Sequence, residues 1–286
     1  MADQIEMAII HMSGAYLAQD FYRKSFGCPD EAGPGSVKVR KIDCRDIGGT
    51  RSYCDDQAKE QLRERIANAP FSGIHFLDSG NYHYLSLLWM EKITEPFSLV
   101  LFDRHPDTQR PSFGDITSCG GWVREALLNN PYLEHVYLVG MDPKLLEQEG
   151  ILTGVTGSGE KVDFPVGRVH VGLSELLERD RAGENRRDGE TRETVYLSID
   201  KDALCRQDAR CDWDQGEMTL GELFSLMEQI VSCCRVIGAD VCGENPDGES
   251  RGDFNGGTGG GEDAVINNRT NRRLAEKLLE CMSASC

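Results

Sequence analysis

Two apolar stretches of the sequence end in acidic and imidazole side chains at alternating positions. The run SLVLFDRHPD carries Asp103, His105 and Asp107, and the later run TVYLSIDKD carries Asp200 and Asp202. Residues i, i+2 and i+4 of an extended chain point in the same direction. Each stretch therefore predicts a β-strand that delivers metal-competent side chains to one place. Together the two stretches predict the two halves of a metal centre.

The types of these ligands indicate which metal they would hold. A third segment, Ser79-Gly80-Asn81-Tyr82-His83, adds a second imidazole to the four carboxylates. This oxygen-rich set suits Mn²⁺, with Fe²⁺, Co²⁺ or Ni²⁺ as alternatives, whereas a thiolate-rich set would indicate zinc. Six side chains exceed the needs of one catalytic ion. They suffice for two ions about 3.5–4 Å apart that share bridging carboxylates and hold a hydroxide between them.

Strand-like and helix-like segments alternate along the whole chain. Such alternation predicts an α/β fold with a mostly parallel sheet of roughly eight strands, covered by helices on both faces. The strand segments are MAIIHM (7–12), VKVRKIDC (37–44), GIHFLD (73–78), SLVLFD (98–103), HVYLVGM (135–141), RVHVGL (168–173), TVYLSID (194–200) and RVIGADVC (235–242). The predicted helices are residues 55–69, NYHYLSLLWMEKI, WVREALLN, LGELFSLMEQIVSCC and NNRTNRRLAEKLLECM.

No composition shift marks a domain boundary, so residues 1–286 are predicted to form a single domain. Residues 175–192 are highly charged and predict a surface excursion, and the Gly-rich residues 248–262 predict a mobile loop. Ligands of open parallel sheets bind outside the carboxyl ends of the strands. The candidate residues all follow strand segments: His83 the third, Asp103 to Asp107 the fourth, Asp200 and Asp202 the seventh, and Glu244 the eighth.

The overall charge and cysteine usage bound the possible partners and compartment. A net charge of −17 argues against nucleic acid or an anionic membrane surface, and it suits a small cationic substrate or simply a solubilising surface. The start of the chain lacks the pattern of a signal peptide, and no stretch approaches the ~18 apolar residues of a membrane span. Eleven cysteines without regular spacing then predict a reduced, cytoplasmic protein whose thiols are mostly buried.

The motif order G-[DN]-x-H, D-x-H-x-D, S-x-D-x-D and D-x-x-x-E-N-P resembles the arginase–agmatinase (ureohydrolase) family over residues 73 to 247. The resemblance implies a three-layer α/β/α fold, a binuclear Mn²⁺ centre and hydrolysis of a C–N bond by metal-bound hydroxide. It implies that Asp103 and Asp200 bridge the ions and that Asp107 also accepts a hydrogen bond from the hydroxide. The implied ligands of one ion are His83, Asp103, Asp107 and Asp200, and those of the other are His105, Asp103, Asp200 and Asp202.

The sequence departs from the family pattern at three points. One extra residue precedes the first metal-binding histidine, for which we take His83 rather than His75, which lies inside a strand segment. The loop histidine that shuttles protons in the family is missing from PSFGDITSCGGW, where Cys119 takes its place. That cysteine is predicted to act as proton donor or nucleophile, with an unreactive thiol as the alternative. Glu244 lies four rather than three residues after Asp240, so either a bulge restores its substrate contact or the carboxylate is turned away.

These observations predict a binuclear metal-dependent hydrolase that cleaves a C–N bond of a small guanidino, amidine or amide substrate. Asp107, Cys119 and Glu244 are the candidate catalytic residues, and Gln109 and Glu244 the candidate substrate ligands. Trp122 and Trp213 are candidate walls of the pocket. A deacetylase-type amidohydrolase on the same fold and a metal-binding protein without turnover are the alternatives, and homo-oligomer formation is left open.

Overall fold

Strands and helices alternate through the protein, whose computed structural model describes residues 5–24, 37–111, 113–182, 192–246 and 259–284. The strands are β1 Glu6–His11, β2 Lys38–Asp43, β3 Tyr53–Cys54, β4 Ile74–Phe76, β5 Phe97–Phe102, β6 Thr117–Ser118, β7 Leu133–Val139, β8 Val169–Val171, β9 Glu193–Asp200 and β10 Cys234–Cys242. The helices are α1 Phe21–Lys24, α2 Asp56–Ile66, α3 Leu85–Met90, α4 Trp122–Asn129, α5 Pro143–Gln148, α6 Ser174–Ala182, α7 Leu220–Cys233 and α8 Gly259–Ala284.

Eight of these strands form one sheet in the order β2-β1-β4-β10-β9-β5-β7-β8. Every neighbouring pair in this sheet is parallel. All eight predicted strand segments lie in it, so the predicted mostly parallel, roughly eight-stranded α/β fold is confirmed. The sequence-based prediction missed a small antiparallel ribbon formed by β3 and β6, because two-residue strands leave no periodic pattern.

The two faces of the sheet bury separate apolar cores, which explains the near-continuous apolar runs of the strands. In β5, Leu99 and Leu101 pack into one core while Val100 and Phe102 pack into the other. The first core receives side chains of α2, α3 and α4, and the second receives side chains of α1, α6, α7 and α8. The fold therefore has three layers, α/β/α.

The segment predicted as a surface excursion, residues 175–192, is helical over its first part, where α6 buries Leu176 completely. Residues 183–191 lie outside the described residues. Residues 248–258 of the predicted mobile loop also lie outside them, but residues 259–262 belong to α8 and not to a loop. Within the described residues, no helix has both the length and the apolar character that crossing a membrane requires. The nine cysteines in the described ranges are free thiols, and seven of them are buried.

The strand order places β4, β10, β9 and β5 side by side in the middle of the sheet. Because parallel strands share one carboxyl edge, the loops that follow these four strands meet above the sheet centre. The loops carry the candidate site residues to this point from distant parts of the chain.

Candidate metal centre

The predicted metal ligands converge at the carboxyl edge of the sheet, and we call them the ligand cluster. They line a single cavity of about 140 Å³. Except for His105, which is partly buried, the members are buried. The ligand cluster consists of His83, Asp103, His105, Asp107, Asp200 and Asp202.

His83 reaches the cavity through a short helical turn, Gly80–Tyr82, that follows β4. The Ser79 side chain caps this turn by accepting a hydrogen bond from the Asn81 backbone N–H. A Cβ atom on Gly80 would lie 2.8 Å from Asp200 Oδ2, so only glycine lets the turn approach the end of β9 this closely.

The imidazole of His83 faces three carboxylates at once. Its Nδ1 lies 3.2 Å from Asp103 Oδ2, 3.3 Å from Asp107 Oδ2 and 3.6 Å from Asp200 Oδ2. The other imidazole, that of His105, places Nδ1 2.8 Å from Asp202 Oδ2 and 3.4 Å from Asp103 Oδ1. Asp103 therefore directs one oxygen to each imidazole, which is the arrangement that a bridging carboxylate needs.

A hydrogen-bond chain orients His83 for metal binding. Ser198 Oγ lies 2.8 Å from His83 Nε2 and donates to Asp240 Oδ1 at 2.5 Å. Since the serine proton points to Asp240, Nε2–H of His83 donates to Ser198, and the lone pair is left on Nδ1. That buried Nδ1 has no hydrogen-bond partner within the described part of the chain. A lone pair facing carboxylate oxygens is repulsive unless a proton or a metal ion lies between them, so these residues fit a metal ion that takes the place of the proton.

Two further contacts hold the carboxylates in place. Trp122 Nε1 donates to Asp107 Oδ2 at 2.6 Å, and the Cys242 thiol donates to Asp200 Oδ2 at 3.1 Å.

The backbone of Asp107 is left-handed, with φ of 52°. A non-glycine residue in this region is strained, and such strain concentrates at functional sites.

The pKa values of the ligand cluster reflect an excess of buried negative charge. Burial and the neighbouring Asp103 raise the pKa of Asp107 to about 7, and burial together with Asp103 raises the pKa of Asp202 well above its usual range. Burial opposes the charged form of His105, but hydrogen bonds to Asp103 and Asp202 raise the pKa of that imidazole to about 11. Protons thus occupy the ligand cluster when cations do not, and bound ions would replace them.

Apart from Arg110, the rest of the cavity is lined by neutral groups, including polar and aromatic side chains. Gln109 and Trp213 lie there as predicted, whereas Trp122 lies behind Asp107 and is not among the lining residues. Cys119 also lines the cavity, and burial followed by the charge of Asp107 raises its pKa to about 12. In this environment the side chain of Cys119 is a thiol that holds its proton, not a nucleophilic thiolate.

Glu244 does not reach the cavity, which corrects its predicted role as a catalytic and substrate-binding residue. Strand β10 ends at Cys242, and the left-handed backbone of Gly243, with φ of 88°, turns the chain before the carboxylate of Glu244, which points away from the cavity. The residue before it, Gly243, packs against the end of β9, where a Cβ atom would lie 2.4 Å from Asp200 Oδ1. The Glu244 side chain instead binds Lys201 inside a buried network that we call the lysine cluster. The lysine cluster consists of Gln19, Lys201, Glu244, Asn267 and Asn271.

The sequence-based prediction missed Ser198, Asp240 and Cys242, which support the ligand cluster from β9 and β10. The sequence did carry a signal for them, because residues two apart on a strand share a face. Ser198 lies on the same face of β9 as Asp200, and Asp240 lies on the same face of β10 as Cys242. His75, which was set aside as a ligand, stacks on Trp89 with ring centroids 3.7 Å apart, away from the cavity.

Comparisons with solved structures identify the fold of this chain. Proclavaminate amidino hydrolase from Streptomyces clavuligerus matches with a TM-score of 0.59 at 15% identity, over 99% of this chain and 93% of that one. Formimidoylglutamase from Bacillus subtilis matches with a TM-score of 0.59 at 14% identity, over 99% and 88%. Arginase from Bacillus caldovelox matches with a TM-score of 0.56 at 16% identity, over 95% and 98%. The chain therefore has the arginase-like fold.

Comparison with sequence relatives says less about this chain than comparison with solved structures. The chain is 33% identical over 172 residues to an uncharacterized protein from Thermotoga maritima. This match spans 60% of the chain and 58% of that protein. No family model matches the sequence.

Proposed function

We propose that this chain is a divergent member of the arginase–agmatinase family that hydrolyses a C–N bond of a small guanidino, amidine or amide substrate. The observation that carries the proposal is the ligand cluster, in which the Nδ1 lone pair of His83 faces three carboxylates. The arginase-like fold supports it, because arginase, formimidoylglutamase and amidino hydrolase share that fold.

The cofactor that we propose is a pair of divalent ions, Mn²⁺ or a related metal. His83, Asp103, Asp107 and Asp200 would hold one ion, and His105, Asp103, Asp200 and Asp202 the other. When bound, such ions polarise the scissile group and supply hydroxide at neutral pH. The remaining chemistry belongs to the chain. Asp107 would orient the attacking water through Oδ1, while Trp122 donates a hydrogen bond to Oδ2.

Cys119 is the proposed proton donor to the leaving amine. Its thiol lines the cavity and stays protonated, as a general acid must before it reacts. Its position is fixed by the backbone, since its N–H donates to the Ser52 carbonyl at 2.9 Å.

The cavity walls indicate how the substrate is held. Among the described residues, the carboxylates that line the cavity all belong to the ligand cluster, whose charge two divalent ions would balance. The other lining groups include Ser52, Tyr53, Gln109 and Ser118, which are neutral, and Arg110, which is paired with Asp163 at 3.1 Å. We therefore propose that neutral hydrogen-bonding groups recognise the substrate. This replaces the expectation, drawn from the net charge of the chain, that acidic groups attract a cationic substrate.

A product assay tests the proposal. The metal-loaded protein is offered guanidino, amidine and N-acetyl compounds, and release of urea, ammonia and acetate is followed. We expect ammonia or urea release that is lost in Asp103→Asn. Acetate release alone would assign the deacetylase alternative.

A second candidate function is metal binding without turnover. One observation favours it: the Glu244 carboxylate does not reach the cavity. It would be supported by full metal binding with no product from any compound class. Sustained turnover of any of these compounds would exclude it.

A further inference from the structure

Cys242 places a buried thiol at the edge of the ligand cluster. It is the last residue of β10 and is paired in register with Asp200 of β9, just as Asp240 is paired with Ser198. The Cys242 side chain is fully buried, and its Sγ lies 3.1 Å from Asp200 Oδ2. The strand register thus directs the thiol to the same carboxylate that is proposed to bridge the ions.

A second group points to the same place independently. The unpartnered Nδ1 of His83 lies 3.6 Å from Asp200 Oδ2, the same oxygen that accepts the thiol hydrogen bond. His83, Asp200 and Cys242 each offer one ligand atom, and these three atoms all lie within 4.8 Å of one another. An imidazole, a carboxylate and a thiol therefore surround one point.

We propose that Cys242 is a thiolate ligand of the ion on the His83 side and that it makes the centre select a softer metal, such as Zn²⁺ or Co²⁺, over Mn²⁺. The inference rests on the proposed function for the presence of ions. When the ion binds, the S–H bond breaks, a sulfur–metal bond forms, and the proton leaves to solvent. A thiolate strengthens binding of zinc and cobalt more than binding of manganese, which prefers oxygen ligands.

The variants follow from the geometry. Cys242→Ser replaces the sulfur by a hard oxygen of nearly the same shape. Cys234→Ser is the matched control, because Cys234 is also fully buried in β10 but lies at the opposite end of the strand. In Cys242→Ser we expect zinc affinity to fall about tenfold or more, with a smaller change in manganese affinity. Cys234→Ser should leave both affinities unchanged.

Cobalt spectroscopy reads out the sulfur ligand directly. Titration of the protein with Co²⁺ is expected to give d–d bands and a near-ultraviolet sulfur-to-cobalt charge-transfer band. The charge-transfer band should persist in Cys234→Ser and vanish in Cys242→Ser while the d–d bands remain. The inference is overturned if cobalt binds without this band, or if the band survives in Cys242→Ser, and in both cases the proposed function stands. Absence of any cobalt binding would overturn both.

X-ray absorption at the zinc edge of the unmodified protein keeps the test decisive if Cys242→Ser does not fold. A sulfur scatterer at about 2.3 Å from zinc is expected. A shell of nitrogen and oxygen alone would refute the thiolate ligand.

Discussion

The ligand cluster and the lysine cluster lie at the same strand end but satisfy their charges differently. Asp200 and Asp202 point to the cavity, whereas Lys201 between them points the opposite way and is completely buried. In the lysine cluster, Lys201 and Glu244 neutralise each other, and Asn271 donates to Glu244 at 2.7 Å while accepting from Lys201 at 3.0 Å. The ligand cluster has four carboxylates, two imidazoles and a buried nitrogen, His83 Nδ1, that makes no hydrogen bond within the described residues.

The comparison teaches how to distinguish buried charge that stabilises the fold from buried charge that awaits a ligand. The protein itself completes the lysine cluster, so that cluster fastens α8 to the sheet edge. The ligand cluster is complete only when cations are added, since buried carboxylates repel one another without them. Substitutions in the lysine cluster should therefore change stability, and substitutions in the ligand cluster should change metal binding.

The largest expected effect is on metal binding in Asp103→Asn. The amide keeps the shape of the side chain but removes the charge shared by the two imidazole sites, so metal affinity should fall by at least about a hundredfold. Isothermal titration with Mn²⁺ measures it. Asp43→Asn is the control, because Asp43 ends β2 at the same sheet edge but is exposed and paired with Arg45. Equal affinities for the two variants would contradict the assignment.

Lys201→Met should have the largest effect on stability. It leaves the Glu244 carboxylate buried without its cation, which costs about 3–5 kcal/mol of unfolding free energy. Urea unfolding with and without the second change Glu244→Gln checks it, and the double variant should recover part of the loss. The exposed pair of Arg45 and Asp43 supplies the control, since Arg45→Met should leave the free energy of unfolding nearly unchanged. A loss for Lys201→Met as small as this control would mean that the lysine cluster does not hold the fold.

For Ser198→Ala we expect a loss of metal affinity that is smaller than the loss in Asp103→Asn. Without the hydroxyl, His83 Nε2 loses its acceptor and the ring is no longer held with Nδ1 toward the carboxylates. Loss of such an outer partner typically reduces metal affinity about 10–100-fold. Competition with a metal indicator measures the loss. Ser98→Ala, at the opposite end of the neighbouring strand β5, should bind metal normally, and a similar loss there would point to a general packing defect.

The smallest effect on metal binding is expected for Cys119→Ala. Cys119 lines the cavity, but among the described residues it belongs to none of the groups of side chains that lie close enough together to hold one ion. Metal content should stay the same while kcat falls about a hundredfold or more, because the general acid is gone. Metal analysis and steady-state kinetics on the same sample separate the two. An unchanged kcat would return Cys119 to the role of a structural thiol.

Strand periodicity predicted the sheet well because strands such as β1, β5 and β10 are buried on both faces and carry long apolar runs, whereas only the edge strands β2 and β8 are largely exposed or half-buried. The convergence of His83 with Asp103 and Asp200 was also predictable, because parallel strands share one carboxyl edge. The orientation of Glu244 could not be predicted from the sequence. A one-residue shift in a loop can be absorbed by a bulge, or it can leave the side chain pointing the other way. Only the three-dimensional packing decides between these outcomes, and here the buried amine of Lys201 gives the carboxylate a partner on the far side.

The central claim is that the ligand cluster holds two divalent ions. Anomalous diffraction from crystals of the protein grown with Mn²⁺ tests it most directly. We predict two peaks, one beside His83 Nδ1 and one beside His105 Nδ1, with Asp103 between them. A single peak, or none, within the cavity would contradict the account.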